Sequence, residues 1–547
     1  RKYGEKLERC FKTNNPRNAW KCLEAMTDYS NKKHGNTFEH EENAKEKANE
    51  LNSFFCRFEN QDRQEELNEQ LTALRNRVDD REPFVINESD VRKRFKLINP
   101  RKASGPDGVN GRVLKTCSSQ LAVPYAMIFQ TSISERVVPA CWKASVVTPV
   151  PKNNRPSANG DFRPIALTSV VMKSLERLVL EKLTSSVLPL LDPNQFAYKA
   201  KRSVTDAVLT LTNKLYEHLD KARCYARATF IDFSSAFNTI EPLILLQKLQ
   251  HLQVQPSLIL WLQDFLHERT QKVKVNGVLS DELITTIGTP QGCVLSATLF
   301  TLYTNDCISN SPSVHILKYA DDTVIVGLIE TENELDYRAT ISMFENWCRE
   351  NYLLLNSKKT KEIVFDFRQK KAFEPIDRPV YFNDDTIENV DSYRYLGTEI
   401  DNKLSWEEKS KRTLTKCNQR LYFLRKLKYF HVNDRILFLF YQSIIQSTIT
   451  FDSIIWFNNA RQSDKQKLRR VVKQASKIMN HTVDLDEVCK ERVVSKALSI
   501  MSDLTHPLND QYIHLRSGRR LRSIKARTSR RINSFIPLSI RVVNETQ

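Results

Sequence analysis

Three aspartates are the residues of this sequence whose type and spacing could do chemistry. Asp321 and Asp322 are adjacent and lie between two apolar runs, which predicts a strand, a tight turn and a second strand. Asp232 ends a β-prone run that starts at Ala228, and small residues follow it. Side-by-side carboxylates repel each other and resist burial, so a divalent cation that neutralises them explains the pattern. A solvated hairpin turn is the alternative, because Asp is common in turns.

The chemistry that such carboxylates support is the handling of phosphate. Mg²⁺ prefers oxygen ligands and keeps coordination positions open for substrate phosphates. Two such ions about 4 Å apart activate an attacking hydroxyl group and stabilise a leaving phosphate oxygen. Asp232 and Asp321, with Asp322 as a further candidate, have the side chains for this work.

The segments that contain these aspartates resemble the palm motifs of reverse transcriptases of the non-LTR (LINE-like) retrotransposon class. They read ATFIDFSSAFN (228–238), IGTPQGC (287–293) and KYADDTVIVG (318–327). Four further segments resemble the family in its order: ASGPDG (103–108), FRPIAL (162–167), LNSKKT (355–360) and YLG (395–397). The resemblance is strong over residues 90–400 and weak elsewhere. Seven motifs in one order do not arise by chance.

The resemblance implies a fold and a domain order. The fold would be α+β, a right-hand polymerase of fingers, palm and thumb with an N-terminal helical extension and a basic C-terminal tail. The expected divisions are residues 1–88 for the helical extension or linker, 89–400 for fingers and palm, 401–480 for the helical thumb and 481–547 for the basic C-terminal region. Apolar anchors of the extension are expected at Trp20, Leu23, Leu51, Phe54, Phe55 and Phe58.

The resemblance also implies roles for individual residues. It assigns two Mg²⁺ ions, with Mn²⁺ as a substitute, to Asp232, Phe233 and Asp321, and gives Asp322 a weaker or electrostatic role. Lys359 would protonate the leaving pyrophosphate. The expected nucleotide-binding residues are Lys152, Arg163, Phe237 and Gln291. The expected template- and primer-binding residues are Gly288, Pro290, Gly292, Tyr395, Leu396 and Gly397.

Blander interpretations of these residues remain. Phe237, expected to select deoxynucleotides by blocking a ribose 2′-hydroxyl, is a core residue when the family is set aside. Lys152, Arg163 and Lys359 are then ordinary solvated cations of a basic protein. The glycines of the 287–293 segment are explained by turn geometry alone.

Composition narrows the partners and the compartment. A net charge of +18 and a pI near 9.3 favour a polyanionic partner, and 40% hydrophobic residues favour a folded protein. The 11 cysteines show no CxxC pair or zinc-finger spacing, which predicts reduced thiols in an intracellular protein of nucleus and cytoplasm. The apolar window 436–457 contains polar residues and predicts buried helices, with no membrane partner. The lack of an initiator Met and of a signal segment makes secretion unexpected, and the chain a candidate fragment.

The sequence thus predicts an RNA-directed DNA polymerase that works with an RNA template, a DNA primer or target and dNTPs, and it leaves the oligomeric state open. A decayed or domesticated RNA-binding protein without polymerase activity is the alternative. An intron maturase fits the non-LTR detail at 105–108 and 289–292 less well. The cationic run 516–527 is expected to bind nucleic acid, with nuclear localisation as a rival role.

Overall fold

The computed structural model describes residues 43–59, 63–78, 84–369 and 374–546. The expected anchors Trp20 and Leu23, and the first half of the N-terminal extension, lie outside the described residues. The described chain is a mixture of helices and strands, as expected for an α+β protein.

The chain from residue 44 to residue 143 contributes helices. They are α1 (Ala44–Phe55), α2 (Gln64–Arg75), α3 (Glu88–Lys96), α4 (Gly111–Thr116), α5 (Ser118–Glu135) and α6 (Ala140–Lys143). Apolar residues of α3 and α5 face each other, and the rings of Phe95 and Tyr125 meet edge to face at 5.4 Å. This packing extends the main core away from the sheets.

Strands and helices alternate in the middle of the chain. In order they are β1 (Ser145–Pro151), β2 (Phe162–Leu167), α7 (Val170–Val187), α8 (Val204–Leu219), β3 (Cys224–Ile231), α9 (Pro242–His251), α10 (Pro256–Leu266), β4 (Arg269–Val275), β5 (Val278–Leu279), β6 (Leu283–Thr285), α11 (Ser296–Tyr303), β7 (Val314–Tyr319), β8 (Asp322–Glu330), α12 (Leu335–Glu350) and β9 (Lys361–Asp366).

Short strands and then helices complete the chain. They are β10 (Tyr381–Phe382), β11 (Asp385–Thr386), β12 (Glu388–Asn389), β13 (Ser392–Tyr395), β14 (Thr398–Asp401), α13 (Glu407–Tyr429), α14 (Asp434–Phe440), α15 (Ser447–Ile449), α16 (Ser453–Trp456), α17 (Gln462–Met479), α18 (Leu485–Met501), α19 (Ser529–Ile532) and α20 (Phe535–Thr546). A π-helical turn, Tyr441–Gln446, joins α14 to α15.

A central sheet with the order β12-β9-β3-β8-β7 carries the candidate site. Strand β3 is antiparallel to both β8 and β9, and all eight of its residues are buried. Side chains alternate between the two faces of a strand. Phe230 therefore packs into the core shared with the C-terminal helices, while Ile231 packs into the core shared with α7, α9 and α10. Because both faces of this sheet are covered, polar groups can reach solvent at the ends of its strands.

A second sheet has the order β2-β1-β4-β5, with β6 also paired to β4. Strands β1 and β2 form an antiparallel hairpin in which Val150 lies opposite Arg163. Helix α1 covers this sheet, and its Leu51 and Phe55 are buried against Val147 and Val273. These two anchors agree with the apolar face expected from the sequence.

The helices from α13 onwards cover one face of the central sheet. Trp406, Trp456 and Leu421 share a single core with Phe230 of β3. The apolar window 436–457 forms α14 to α16 inside this core, as expected. Within the described residues, no helix has both the length and the apolar character that crossing a bilayer requires.

The expectation of a basic C-terminal tail was wrong in one respect. Residues after 481 form α18, α19 and α20, and α20 packs on α18 through Phe535, Ile536, Ile540 and Val543, all nearly inaccessible to solvent. These four residues recur at helical spacing, which lets one face of α20 enter the core. The cationic run is therefore an exposed loop between two packed helices.

Candidate active site

The three aspartates meet at one end of the central sheet. Asp232 directly follows β3, Asp321 lies in the tight turn between β7 and β8, and Asp322 is the first residue of β8. Strand β3 pairs with β8 so that Ile231 lies opposite Thr323, which places the two acidic segments side by side. Ala320 adopts a left-handed conformation at φ 57°, and its amide donates to the Gln195 side chain at 3.2 Å. The turn is thereby held in place from outside the hairpin.

Burial raises the pKa of all three aspartates. The neighbouring carboxylates raise the pKa of Asp321 and of Asp322 further, and that of Asp322 reaches about 6. Asp321 and Asp322 nevertheless stay accessible to solvent, so they line a recess and are not part of the core. Hard oxygen ligands that repel each other in an accessible recess fit a divalent cation.

The carboxylate oxygens of the three aspartates lie farther apart than the ligand atoms of a compact metal site. Within the described residues, three metal-ligating groups have ligand atoms within 4.8 Å of one another only at His218, Cys224 and Glu330, near the other end of β3. That cluster has protein partners: His218 Nε2 lies 3.1 Å from two carbonyl oxygens, and Lys221 pairs with Glu330 at 2.6 Å. Of these two groups of ligating residues, the three aspartates are the one that remains accessible to a ligand.

The segment 355–360 fixes the backbone of Asp232. The Asn356 amide donates to the Asp232 carbonyl at 2.9 Å, and the Asp232 amide donates to the Thr360 hydroxyl at 3.2 Å. The Asn356 side chain also hydrogen-bonds the Asp232 carboxylate and lowers its pKa, after the larger effect of Lys359. Sequence reasoning singled out Lys359 in this segment but gave no role to Asn356 and Thr360. Their polar side chains next to the candidate lysine were the available signal.

The expected cations lie on the same side as the carboxylates. Lys359 and Lys152 lower the pKa of Asp232, and Arg163 lowers that of Asp321. The pKa of Lys152 is itself lowered, first by partial desolvation and then by Lys359 and Arg163. The Lys152 ammonium also donates to the Gly160 carbonyl at 2.7 Å, which ties it to the β1–β2 hairpin. The fold thus groups three cations around three carboxylates.

The 287–292 loop approaches neighbouring backbone so closely that a side chain would not fit at Gly288 or Gly292. A Cβ atom on Gly292 would lie 2.5 Å from the Ala166 carbonyl oxygen, and one on Gly288 would lie 2.7 Å from the Asn238 Cα. Both glycines also have positive φ values, 134° and 75°. Gln291 bridges the two neighbours, since its carbonyl accepts from the Ala166 amide at 2.7 Å and its side chain donates to Asn238 at 3.0 Å. The loop therefore links β2, which carries Arg163, to the turn after Asp232.

Two phenylalanines near Asp232 are partly buried. The Phe237 ring lies 5.0 Å from that of Phe300, and the Phe237 carbonyl accepts from the Thr289 amide at 2.8 Å. Phe233 bridges to Leu355, and its ring lies 6.3 Å from that of Phe344. The side chain of Phe233 carries no donor atom, so only its main-chain carbonyl could ligate a metal.

The Tyr395-Leu396-Gly397 hairpin packs under the aspartates. Tyr395 is 2% exposed and its ring lies 5.3 Å from Phe230, while Leu396 and Gly397 make the turn at φ 47° and 89°. Burial, and then Asp322, raise the pKa of Tyr395. The hairpin therefore adjoins the site from the core side.

Pro290 belongs to the 287–292 loop. It is half-buried, and its carbonyl accepts from the Ser296 hydroxyl at 2.7 Å.

A buried ionic network beneath the site was missed by sequence reasoning. Arg227 on β3 is inaccessible to solvent and pairs with Glu362 at 2.7 Å and Glu334 at 2.9 Å. The Tyr337 hydroxyl donates to Glu362 at 2.8 Å. Charged residues in strand and helix sequence are normally read as exposed. Here the β3–β9 pairing brings Glu362 to Arg227, and the start of α12 brings Glu334.

Comparison with known proteins gives the site its context. A family model described as "Reverse transcriptase (RNA-dependent DNA polymerase)" matches residues 150–400. A second model, described as "Alkylated DNA repair protein alkB homolog 8, N-terminal", matches residues 406–447, which cover α13 and α14. The first match includes Asp232, Asp321 and Asp322.

Several curated relatives are similar over the same region. The "Probable RNA-directed DNA polymerase from transposon BS" of Drosophila melanogaster is 25% identical over 62% of this chain and 38% of that protein. The "RNA-directed DNA polymerase from mobile element jockey" is 26% identical in Drosophila melanogaster (59% and 36% covered) and 25% identical in Drosophila funebris (59% and 36%). The match thus spans well under half the length of these relatives. Residues 150–400 of this chain therefore match the reverse transcriptase family, and the similar curated proteins over this region are polymerases of transposons and mobile elements.

Proposed function

We propose that this chain is an RNA-directed DNA polymerase that extends a DNA primer on an RNA template. The observation that carries this proposal is the group of three carboxylates with raised pKa at an accessible strand end, within the region that matches the reverse transcriptase family. The family works with divalent metal ions, and the oxygen donors of this recess suit Mg²⁺, with Mn²⁺ as a substitute.

Asp232 and Asp321 would hold two Mg²⁺ ions, with the Phe233 carbonyl as a further ligand and Asp322 as electrostatic support. Such ions would activate a primer 3′-hydroxyl and stabilise the charge that develops when it attacks the α-phosphate of a dNTP and pyrophosphate leaves. Lys359 would protonate the leaving pyrophosphate; its charge opposes the burial that raises the pKa of Asp232, which supports a position beside the carboxylate. Lys152 and Arg163 would bind the triphosphate oxygens.

The remaining assignments follow the neighbours of this site. Gln291, held between Ala166 and Asn238, would contact the template or nucleotide, and the loop from Gly288 through Pro290 to Gly292 would support the template strand. The half-buried ring of Phe237 would block a ribose 2′-hydroxyl. The Tyr395–Gly397 hairpin would hold the primer end.

The elements divide in the manner of a right hand. The β1–β2–β4 sheet with the helices before it would be the fingers, and the central sheet the palm, within residues 89–400. The helices of residues 401–480 would be the thumb. Helix α1 of the 1–88 extension covers the fingers sheet, and residues 481–546 pack on the thumb, which supports treating both as parts of one body.

Single-nucleotide incorporation tests the proposed roles of the carboxylates. Asp232→Asn and Asp321→Asn are expected to slow incorporation about a thousandfold, which is about 4 kcal/mol of transition-state stabilisation. Asp336→Asn, an exposed aspartate on α12, is the matched control and is expected to keep full activity. RNA binding and the circular dichroism spectrum should stay as in the parent. Equal losses of activity in all three variants would overturn the assignment.

A further inference from the structure

The cationic loop between α18 and α19 has a defined shape. Residues 513–522 form a small hairpin in which the Arg522 amide donates to the Ile513 carbonyl at 2.7 Å and the Leu515 amide donates to the Arg520 carbonyl at 2.8 Å. His514 bridges to Leu521, and Gly518 turns the tip at φ 69°. The loop therefore presents its side chains from an ordered backbone.

The loop is anchored to the body of the protein on both sides. Leu521 is 1% exposed, and the Asn544 side chain accepts from its amide at 2.8 Å and donates to its carbonyl at 3.0 Å. The Asp220 carboxylate accepts from the amides of Arg527 and Thr528 at 2.9 and 2.8 Å. These contacts fix the loop so that its tip projects outwards.

The projecting part carries cations without acidic partners. Between Asp510 and Glu545 the sequence has no acidic residue but nine lysines and arginines. Six of these are exposed, and in the part of the chain that the structure describes no ion pair involves them: Arg516, Arg519, Arg520, Arg522, Lys525 and Arg527. A rigid loop that keeps this many uncompensated charges together is suited to a polyanion.

The end of the loop that Asp220 anchors lies far from the acidic recess. Asp220 precedes β3, and Asp232 follows it, so the eight residues of that strand separate them by roughly 26 Å at 3.3 Å per residue. A polyanion bound at this end of the loop therefore lies on a surface other than the place where a nucleotide reacts.

Exposed apolar side chains directly precede the cations in this hairpin. Ile513 is 54% exposed and Leu515 45% exposed, and His514 between them is exposed as well. Side chains of this kind can contact base faces in an unpaired strand, where the bases are free, but not in a duplex, where they are stacked inside. The guanidinium groups can bind phosphates and stack on the same bases.

We propose that residues 513–527 form a second RNA-binding site that holds unpaired RNA outside the active-site recess. The choice of RNA over DNA rests on the proposed polymerase function, because a long RNA template extends well beyond the nucleotides that are being copied. The arginine tip would bind phosphates, and Ile513, His514 and Leu515 would contact the bases.

Equilibrium binding without dNTPs tests this site independently of catalysis. Fluorescence anisotropy with a labelled single-stranded RNA of 30 nucleotides compares the parent with the triple variant Arg516→Gln, Arg519→Gln, Arg520→Gln. We expect Kd to rise about tenfold or more, and the salt dependence of log Kd to fall by up to about 2, at about 0.7 per phosphate contact. The control, Arg75→Gln, Lys93→Gln, Lys96→Gln, removes the same charge from exposed positions of α2 and α3 and is expected to change Kd less than twofold.

Two results would overturn the proposal. One is an equal change in Kd for the loop and control variants, which would show a general charge effect. The other is a larger loss of affinity for duplex DNA of the same length than for RNA, which would make the loop a DNA-binding surface. A parent that binds RNA through the loop but makes no DNA would count against the polymerase and leave this site standing. Cross-linking of 4-thiouridine RNA to peptides that contain residues 513–527 of the parent provides a check that needs no variant.

Discussion

At the scale of single residues, the site combines accessibility with electrostatic strain. Asp232, Asp321 and Asp322 can be reached from solvent, yet the surrounding protein raises the pKa of each, and the neighbouring carboxylates raise the pKa of Asp321 and Asp322 further. The protein maintains this arrangement at some cost to its own stability, because like charges that share a site destabilise each other. A cation that binds there would remove the repulsion.

A metal site at this turn predicts two opposite effects on thermal stability when its aspartates are replaced. Without metal, the double variant Asp321→Asn, Asp322→Asn is expected to melt at a higher temperature than the parent, because the repulsion is gone. With Mg²⁺ at 10 to 100 times its Kd, the parent should gain about 1–3 kcal/mol and the variant much less. Differential scanning fluorimetry with EDTA and with MgCl₂ measures both effects. Equal Mg²⁺ shifts in the two proteins would argue against a metal site at this turn.

Glu176 gives a pH prediction away from the metal site. It lies inside α7, and its carboxylate accepts from the amides of Val294 and Leu295 at 2.6 and 3.0 Å, next to the 287–292 loop. Burial raises its pKa from 4.5 to about 7. The folded protein therefore holds this proton more tightly than the unfolded chain, and the free energy of unfolding falls as the pH rises from 4.5 through 7.

Removing this titration should flatten the pH profile. Glu176→Gln is expected to lessen the fall in unfolding free energy between pH 4.5 and pH 8 by roughly 3 kcal/mol relative to the parent. Urea denaturation at several pH values measures it, with Glu181→Gln, an exposed position of the same helix, as the control. Parallel profiles for the parent and Glu176→Gln would show that Glu176 is ionised throughout.

At the scale of elements, the 287–292 loop couples the two sheets through close backbone contact. Gly292→Ala would place a methyl group against the Ala166 carbonyl, so we expect a loss of about 2–3 kcal/mol of stability and at least a tenfold slower incorporation. Gly277→Ala, where φ is also positive but no atom lies within 4 Å, isolates backbone strain and should cost about 1 kcal/mol without affecting activity. Similar effects in both variants on incorporation would refute the coupling role of the loop.

The sequence could indicate those elements whose evidence is local. The β-prone run before Asp232 and the apolar runs around Asp321 and Asp322 predict the strands on which these residues lie, and the strands are present. Arg227 and Glu176 could not be recognised, because a charge in a strand or helix is read as exposed unless its partners are known. Those partners are 107 or more residues away along the chain.

At the scale of the whole molecule, the C-terminal region is part of the main core. Seven of its apolar side chains share the core of the central sheet: Leu508, Tyr512, Leu521, Phe535, Ile536, Ile540 and Val543. Arg531 is buried and donates to Asn213 on α8 at 2.8 Å, and Arg202 pairs with Asp503. The sequence predicted a tail because cations dominate the composition of this region. Its apolar residues recur at helical spacing only over short segments.

Truncation tests this integration. Ending the chain at Met501 would expose apolar surface that contributes about 1.5–3 kcal/mol per buried side chain, which together exceeds the stability of a typical domain. We expect the truncated chain to lose its cooperative thermal transition. Deletion of 516–519 alone removes only the exposed tip and should leave the transition in place. A truncated chain that melts like the parent would show that the region is dispensable for folding.

Primer extension on an RNA template of mixed sequence, with a DNA primer, dNTPs and Mg²⁺, tests the central claim most directly. The parent is compared with the double variant Asp321→Ala, Asp322→Ala, and the products are sequenced. The account predicts DNA complementary to the template from the parent and none from the variant, with RNA binding intact in both. Synthesis by both proteins would contradict the metal site. No synthesis by either, with tight RNA binding, would favour an RNA-binding protein without polymerase activity.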